Sequence, residues 1–168
     1  MKQEILFTHE ECDTIINSAI SDNWNNSRVA YNKSISIEPN FRTCIEQNIH
    51  ESTICDMILS KCKPLGMLKL PFFKIIKYTK GSFFKKHTDR GNVYQYRLKT
   101  IVIQLSNPED YKGGDLIVSD VISSRERGNS IIFDSGVEHE VTLIEKGTRY
   151  TVIIWLDDET IIQNKTMI

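Results

Sequence analysis

Leu98-Lys99-Thr100-Ile101-Val102-Ile103-Gln104-Leu105 is a short run rich in β-branched residues, followed by the turn pair Asn107-Pro108. Its length and composition predict a strand. Runs of the same kind stand at residues 72–78 (FFKIIKY), 115–118 (DLIV), 130–133 (SIIF), 139–144 (HEVTLI) and 149–156 (RYTVIIWL). Lys80-Gly81, Gly113-Gly114, Gly128-Asn129, Ser135-Gly136 and Lys146-Gly147 separate them. Several short strands with such punctuation point to a sandwich or barrel rather than to alternating βαβ units.

The residues before this block read differently. Thr8 is a good N-cap and Glu11 completes a capping box, so residues 8–21 are expected to be helical. Cys12, Ile15, Ile16, Ala19 and Ile20 recur on one face of that helix. A second helix is expected from about Asn48, with Glu51 three residues on. Its apolar stripe is Ile54, Met57, Ile58 and Cys62, and Pro64 limits its extension. Residues 22–47 are polar and irregular, with some strand character around Ser34–Ile37. The expectation is a single domain, mainly β with N-terminal helices. Residues 1–69 form a helical support and lid segment, 70–156 the β-rich core, and 157–168 a tail that is either an edge strand or loosely ordered.

At 168 residues, 40% hydrophobic and 26% charged, the chain has the size and composition of one soluble globular domain. A net charge of -1 gives no general pull toward nucleic acid or anionic membrane. No apolar run approaches the length of a membrane span, and MKQEILFTHEEC lacks an apolar stretch of signal-peptide length. These features predict a cytoplasmic protein without a nucleic-acid or membrane partner. Cys12, Cys44, Cys55 and Cys62 form no CxxC pair and show no zinc-finger spacing. Buried, reduced thiols acting as small hydrophobes are the expected role.

The chemistry centres on His87-Thr88-Asp89 and His139. Residues two apart on a strand share a face, so His87 and Asp89 can reach one ion together. His139 begins another strand-like run, which a sheet can bring alongside. Two imidazoles and one carboxylate leave coordination positions open, as Fe(II) oxygenases require. A structural zinc site would close all four of its positions. His9 and His50 sit near helix starts and are expected to be no ligands. An HxD motif is weak by itself; its surroundings give it weight.

Those surroundings resemble the prolyl 4-hydroxylase-like branch of the Fe(II)/2-oxoglutarate-dependent dioxygenases. The matching stretches are Tyr78 through Gly81 to His87 and Asp89, then Arg97-Leu-Lys-Thr100 to Asn107, then Tyr111-Lys-Gly113-Gly114-Asp115-Leu116. They continue with Gly128 to Phe133 and Ser135, His139-Glu-Val141, and Gly147-Thr-Arg149 to Trp155. The likeness covers about residues 72–156, with a weaker echo at Phe7–Cys12 and Phe41-Arg42-Thr43.

The resemblance implies a double-stranded β-helix (jelly-roll) core with helices on one side. It implies Fe(II) held by His87, Asp89 and His139, the catalytic centre. It further implies 2-oxoglutarate as co-substrate, O2 as oxidant and ascorbate as an accompanying reductant. Arg149 would pair the far carboxylate of the 2-oxoglutarate, because a buried carboxylate needs a partner and a guanidinium fork supplies one. Tyr78 matches the family tyrosine over the co-substrate, although a strand aromatic can equally be core. Thr100 is either a second donor to the far carboxylate or an ordinary strand residue. Gln104 departs from the family, where a tyrosine often helps hold the co-substrate; a glutamine can still donate. Gly113-Gly114 fits both a hairpin turn and a close backbone approach to the site. Trp155 is expected in the core.

The expected reaction is hydroxylation of a C–H bond of a prolyl residue in a peptide or protein, with release of succinate and CO2. Retention of Asp89 favours hydroxylation over halogenation, whose enzymes carry a small residue there. A free amino acid or small metabolite is the alternative substrate, and a non-catalytic metal-binding jelly roll is a third reading. A nucleic-acid demethylase should carry another Arg after the co-substrate Arg, and Arg149 is the last in the chain. Arg42, Tyr94 and Tyr96 are candidate substrate contacts; with Trp24, the two tyrosines either line a groove or anchor loops. Lys77, Lys80, Lys85, Lys86 and Arg90 make a solvated face or steer an anionic substrate.

Overall fold

The computed structural model describes residues 1–19, 23–31, 34–65, 73–91 and 93–157. The chain opens with β1 (Lys2–Ile5), α1 (His9–Ser18), β2 (Asn25–Asn26), the hairpin β3 (Val29–Tyr31) and β4 (Ser34–Ser36), β5 (Ile45–Ile49) and α2 (Ser52–Cys62). The β-rich part follows as β6 (Phe73–Thr79), β7 (Phe84–His87), β8 (Arg97–Gln104), β9 (Tyr111–Gly113), β10 (Leu116–Val118) and β11 (Val121–Ile122). It closes with β12 (Asn129–Asp134), β13 (His139–Val141) and the long β14 (Ile144–Asp157).

Among the described residues, the major sheet has the order β1-β12-β8-β14-β6-β5-β2, with β9 pairing the start of β14. A smaller sheet has the order β11-β10-β13-β7. The strand pairings among the described residues are antiparallel, so adjacent strands need no helical crossover. The two sheets face each other as a jelly roll, and the helices cover the outer face of the major sheet. Strand alternation sorts the side chains between these two spaces. Ile101, Ile103, Leu105, Val152, Ile154 and Leu156 pack against Cys12, Ile15, Ile54, Ile58 and Cys62 of the helices. Val102, Ile131, Phe133 and Ile76 face inward, against Leu116, Val118 and Val141 of the smaller sheet.

The N-terminal part differs in detail from the sequence expectation. α1 has both hydrogen bonds of its capping box, but it ends at Ser18, with Ala19 already extended; Ile20 lies outside the described residues. α2 begins at Ser52 rather than near Asn48, with Glu51 as its N-cap. Asn48 belongs to β5, which pairs with β6 from Ile45↔Lys77 to Ile49↔Phe73. That pairing satisfies the backbone of a segment whose composition gives little strand signal. The strand character near Ser34–Ile37 corresponds to the β3–β4 hairpin. The tail from residue 158 lies outside the described residues.

The Gly113-Gly114 pair meets a steric demand. Both have positive φ, and a Cβ on Gly113 would come within 2.0 Å of the Leu143 carbonyl oxygen. A Cβ on Gly114 would meet Ile144 Cδ1 at 2.1 Å and lie 3.5 Å from Arg149 Cδ. The backbone here lies against the stem of Arg149, as the double glycine led us to expect. All four cysteines are free and buried. No helix among the described residues is long and apolar enough to cross a membrane.

Candidate active site

His87 ends β7 and His139 begins β13, and the two are direct partners in the antiparallel register. Asp89 is not on the strand; it sits on the bend just after β7. It reaches the histidines because the chain turns back at that bend. The three offer ligand atoms that all lie within 4.8 Å of one another. Asp89 Oδ2 is 3.4 Å from His139 Nε2, and Oδ1 is 3.7 Å from His87 Nε2.

The other ring nitrogens fix this orientation. His87 Nδ1 is 2.7 Å from the Lys85 carbonyl oxygen and His139 Nδ1 is 3.0 Å from that of Val137. Carbonyls only accept, so each Nδ1 carries the proton and each Nε2 turns its lone pair inward. Phe84 stacks on His87 with ring centroids 3.5 Å apart, and Phe133 lies 4.7 Å from His139. Burial pulls the His87 imidazole below its ordinary value. Burial alone would raise the Asp89 carboxyl, but the imidazoles of His139 and His87 hold it well below the usual carboxylate range. A neutral imidazole beside an ionised carboxylate is the protonation state a divalent cation needs. The three residues fit iron with positions to spare.

Thr100 is fully buried, and its hydroxyl donates to Asp89 Oδ2 at 2.7 Å while lying 3.0 Å from Ser135 Oγ. The structure therefore places Thr100 beside the metal carboxylate, at the opposite end from where a donor to the far carboxylate would be.

A cavity of about 1140 Å³ runs from this centre across the inner face of the major sheet. Arg149 lies on its wall and is only 1% exposed. Its Nη2 donates to Gln104 Oε1 at 3.0 Å, while Nε and Nη1 have no hydrogen-bond partner among the described residues. The Tyr78 ring centroid is 5.2 Å from its Cζ. A buried guanidinium with two unused donors is costly and is a ready-made socket for an anion. Its fork suits a carboxylate, so the cavity fits a dicarboxylate reaching from metal to Arg149. Gln104 does not line the cavity; it braces Arg149, and its Nε2 faces the Ser124 carbonyl at 3.4 Å. Tyr78 does line the cavity, and burial pushes its phenol far up.

The candidate substrate contacts separate. Arg42 lines the cavity, but its donors face the protein: Nε to Cys44 Sγ at 2.9 Å, Nη1 to the Arg28 carbonyl at 3.1 Å, and Nη2 3.5 Å from Glu46. Its Cζ sits 4.4 Å from the Phe84 ring centroid, tying it to the ring stacked on His87. Tyr94 lines the cavity; Tyr96 is absent from its wall and packs edge-on against Tyr94. Trp24 packs near Tyr150, on the helix-covered face, rather than along the cavity.

Two residues on the wall differ from their sequence reading. Trp155 faces the cavity rather than the core, because Ile154 and Leu156 take the core side of β14. Arg97, assigned no role from sequence, is clamped between Tyr94 and Trp155, with its Cζ 3.7 and 3.8 Å from their ring centroids. Its place at the head of the Arg97-to-Thr100 stretch was the available signal. Val29, Ala30, Ile35 and Ile37 of the hairpin region also line the cavity.

Residues 73–157 match the 2OG-Fe(II) oxygenase superfamily. A PKHD-type hydroxylase of Caulobacter vibrioides is 32% identical over 111 residues, covering 60% of this chain and 48% of that protein. The chain spans about half the length of the curated relatives it matches. In fold, the chain is similar to a prolyl-4-hydroxylase of Pseudomonas putida, with a TM-score of 0.72, 20% identity, and coverage of 93% and 91% of the two chains. It is also similar to a prolyl hydroxylase of Trichoplax adhaerens solved with a hypoxia-inducible-factor peptide, with a TM-score of 0.64, 20% identity, and coverage of 90% and 76%.

Proposed function

Because the chain belongs to the 2OG-Fe(II) oxygenase superfamily, we propose that it is an Fe(II)- and 2-oxoglutarate-dependent hydroxylase acting on a prolyl residue of a peptide or protein. The observation that carries this reading is the joining, in one cavity, of the His87/Asp89/His139 cluster and the unsatisfied guanidinium of Arg149. When bound, iron and 2-oxoglutarate supply the oxidising chemistry, in which succinate and CO2 are released and one oxygen atom of O2 enters a substrate C–H bond.

The chain's own residues bind, orient and shield. His87, Asp89 and His139 would hold the iron. Lys85 and Val137 carbonyls fix the imidazoles, and Thr100 with Ser135 fixes the carboxylate. Arg149, braced by Gln104 and beside the Tyr78 ring, would pair the far carboxylate of the co-substrate. Ile76, Val102, Leu116, Val141 and Ile153 form apolar cavity wall that excludes water. Tyr94, Arg97 and Trp155 form a rigid rim over which substrate reaches the metal. Of the expected segments 1–69 and 70–156, the described residues of the first support and help line this site, and those of the second carry the candidate ligands and Arg149.

The cavity has room for a co-substrate and a substrate together. About 1140 Å³ exceeds the roughly 300–1,000 Å³ typical of small-molecule pockets. The likeness to PKHD-type and prolyl hydroxylases favours proline as the residue modified.

The test is Fe(II)-dependent conversion of 2-oxoglutarate to succinate, with mass spectrometry of proline-containing peptides and free amino acids. A gain of one oxygen atom on a prolyl residue is expected, and its loss in His87→Ala and Asp89→Ala. Turnover that survives either substitution would exclude this centre. Oxygen gain confined to free amino acids would replace the peptide reading.

A further inference from the structure

The wall of the cavity is unevenly charged. Six of its side chains are cationic and two are carboxylates, on a chain whose net charge is -1. Asp89 belongs to the metal cluster and Arg149 to the far end of the cavity. Arg28, Arg42, Lys74, Lys86 and Arg97 then stand against Glu46. A divalent ion and a dicarboxylate offset each other and leave this excess in place.

Glu46 does not balance it, because its carboxylate is shared by Lys74 and Arg42. Lys86 pairs with Asp120 on the turn between β10 and β11, a contact open to solvent and weakened by it. Arg97 is held by the rings of Tyr94 and Trp155. Lys77, Lys80, Lys85 and Arg90, which the sequence also offered for steering, do not line the cavity. The two exposed cations of the wall are Arg28, just before β3, and Lys86 of β7.

The same wall has an aliphatic part. Val29, Ala30, Ile35 and Ile37 line it, and Ile35 and Ile37 are 49% and 51% exposed. A nucleic acid would meet the cations but leave these side chains in water. A peptide with acidic and aliphatic residues meets both.

We propose that this groove selects acidic peptide segments, with Arg28 and Lys86 as specificity-determining contacts for carboxylates that flank the residue brought to the metal. The inference rests on the reading that the cavity takes a peptide substrate. A cleft of one sign between walls of low dielectric concentrates the opposite charge.

The experiment is fluorescence anisotropy of labelled peptides, each with a central Leu-Pro and flanks of Glu, Gln or Lys, on the full chain loaded with Mn(II) and 2-oxoglutarate. The Glu peptide should bind at least about tenfold more tightly than the Gln peptide, and the Lys peptide more weakly still. Added salt should shrink the difference. Arg28→Gln and Lys86→Gln should each weaken the Glu peptide about two- to fivefold and leave the Gln peptide unchanged. Lys80→Gln removes the same charge at an exposed turn outside the wall and should change neither. Equal affinity for the Glu and Gln peptides overturns the inference, as does no measurable binding of the Glu peptide. A loss in Lys80→Gln equal to that in Arg28→Gln overturns it too, since net charge alone would then explain the preference. Tighter binding of a single-stranded RNA of matched charge would replace the peptide by a nucleic acid. Oxygen gain on a prolyl peptide without acidic preference sinks this inference and leaves the proposed reaction standing; acidic preference in binding with no oxygen gain on any prolyl peptide does the reverse.

Discussion

Burying a guanidinium with a single hydrogen-bonded partner costs several kcal/mol, and Arg149 is in that position, with Gln104 as its hydrogen-bond partner among the described residues. A residue kept at such a cost by the fold should trade stability against binding. Arg149→Met fills similar volume without charge. We expect the ligand-free variant to melt at or above the parent temperature. Its 2-oxoglutarate affinity should fall at least about 30-fold, the scale of losing one partner of a buried charged contact. Thermal melts with and without 2-oxoglutarate check both halves, because the ligand should raise the melting temperature of the parent chain only. A variant that melts well below the parent would mean that Arg149 is structural.

α1 owes its start to the Thr8–Glu11 box, in which each side chain caps the other's backbone. Thr8→Ala should cost about 1 kcal/mol in a denaturant titration. Burial nudges the Glu11 carboxyl up, but the Thr8 backbone and Lys61 hold it below its ordinary 4.5. A carboxyl lowered on folding stabilises above its unfolded value and loses that contribution as pH falls through the folded one. Glu11→Gln should therefore be less stable than the parent at pH 7, with the gap closing under acid; a gap constant with pH would contradict this. This helix was legible because its signals are local: a cap, a box and one apolar stripe. The strands β6, β8, β10, β12, β13 and β14 were legible from β-branched runs between turn formers. β5 was not, because Ile45-Glu46-Gln47-Asn48-Ile49 has only its two ends apolar and gets its conformation from pairing with β6. The metal ligands and Arg149 could be read from motif order, since the chemistry dictates their types. Which hydroxyl meets which carboxylate could not. Thr100 and Gln104 are both plausible donors on paper, and the bend after β7 and the register of β8 against β14 sort them.

At the scale of the whole molecule, one sheet separates two interiors, with helices on one side and the cavity on the other. None of the four cysteines lines the cavity. Burial pushes Cys12 and Cys62 up to about 11 and raises Cys55, and Cys44 is buried as well. Protonated, buried thiols react slowly. A thiol reagent at neutral pH should find none of the four quickly in the native protein and all of them after unfolding; rapid labelling of any one would show an opening that this fold does not contain. The dividing sheet has a further consequence, clearest along β14. Thr151, Ile153 and Trp155 look into the cavity, while Val152, Ile154 and Leu156 look into the helix-covered core. Neighbouring codons on this strand thus answer to different masters. A lineage could retune what the cavity accepts at every second position while leaving the foundations untouched, and drift at the alternate positions would erode durability without altering taste.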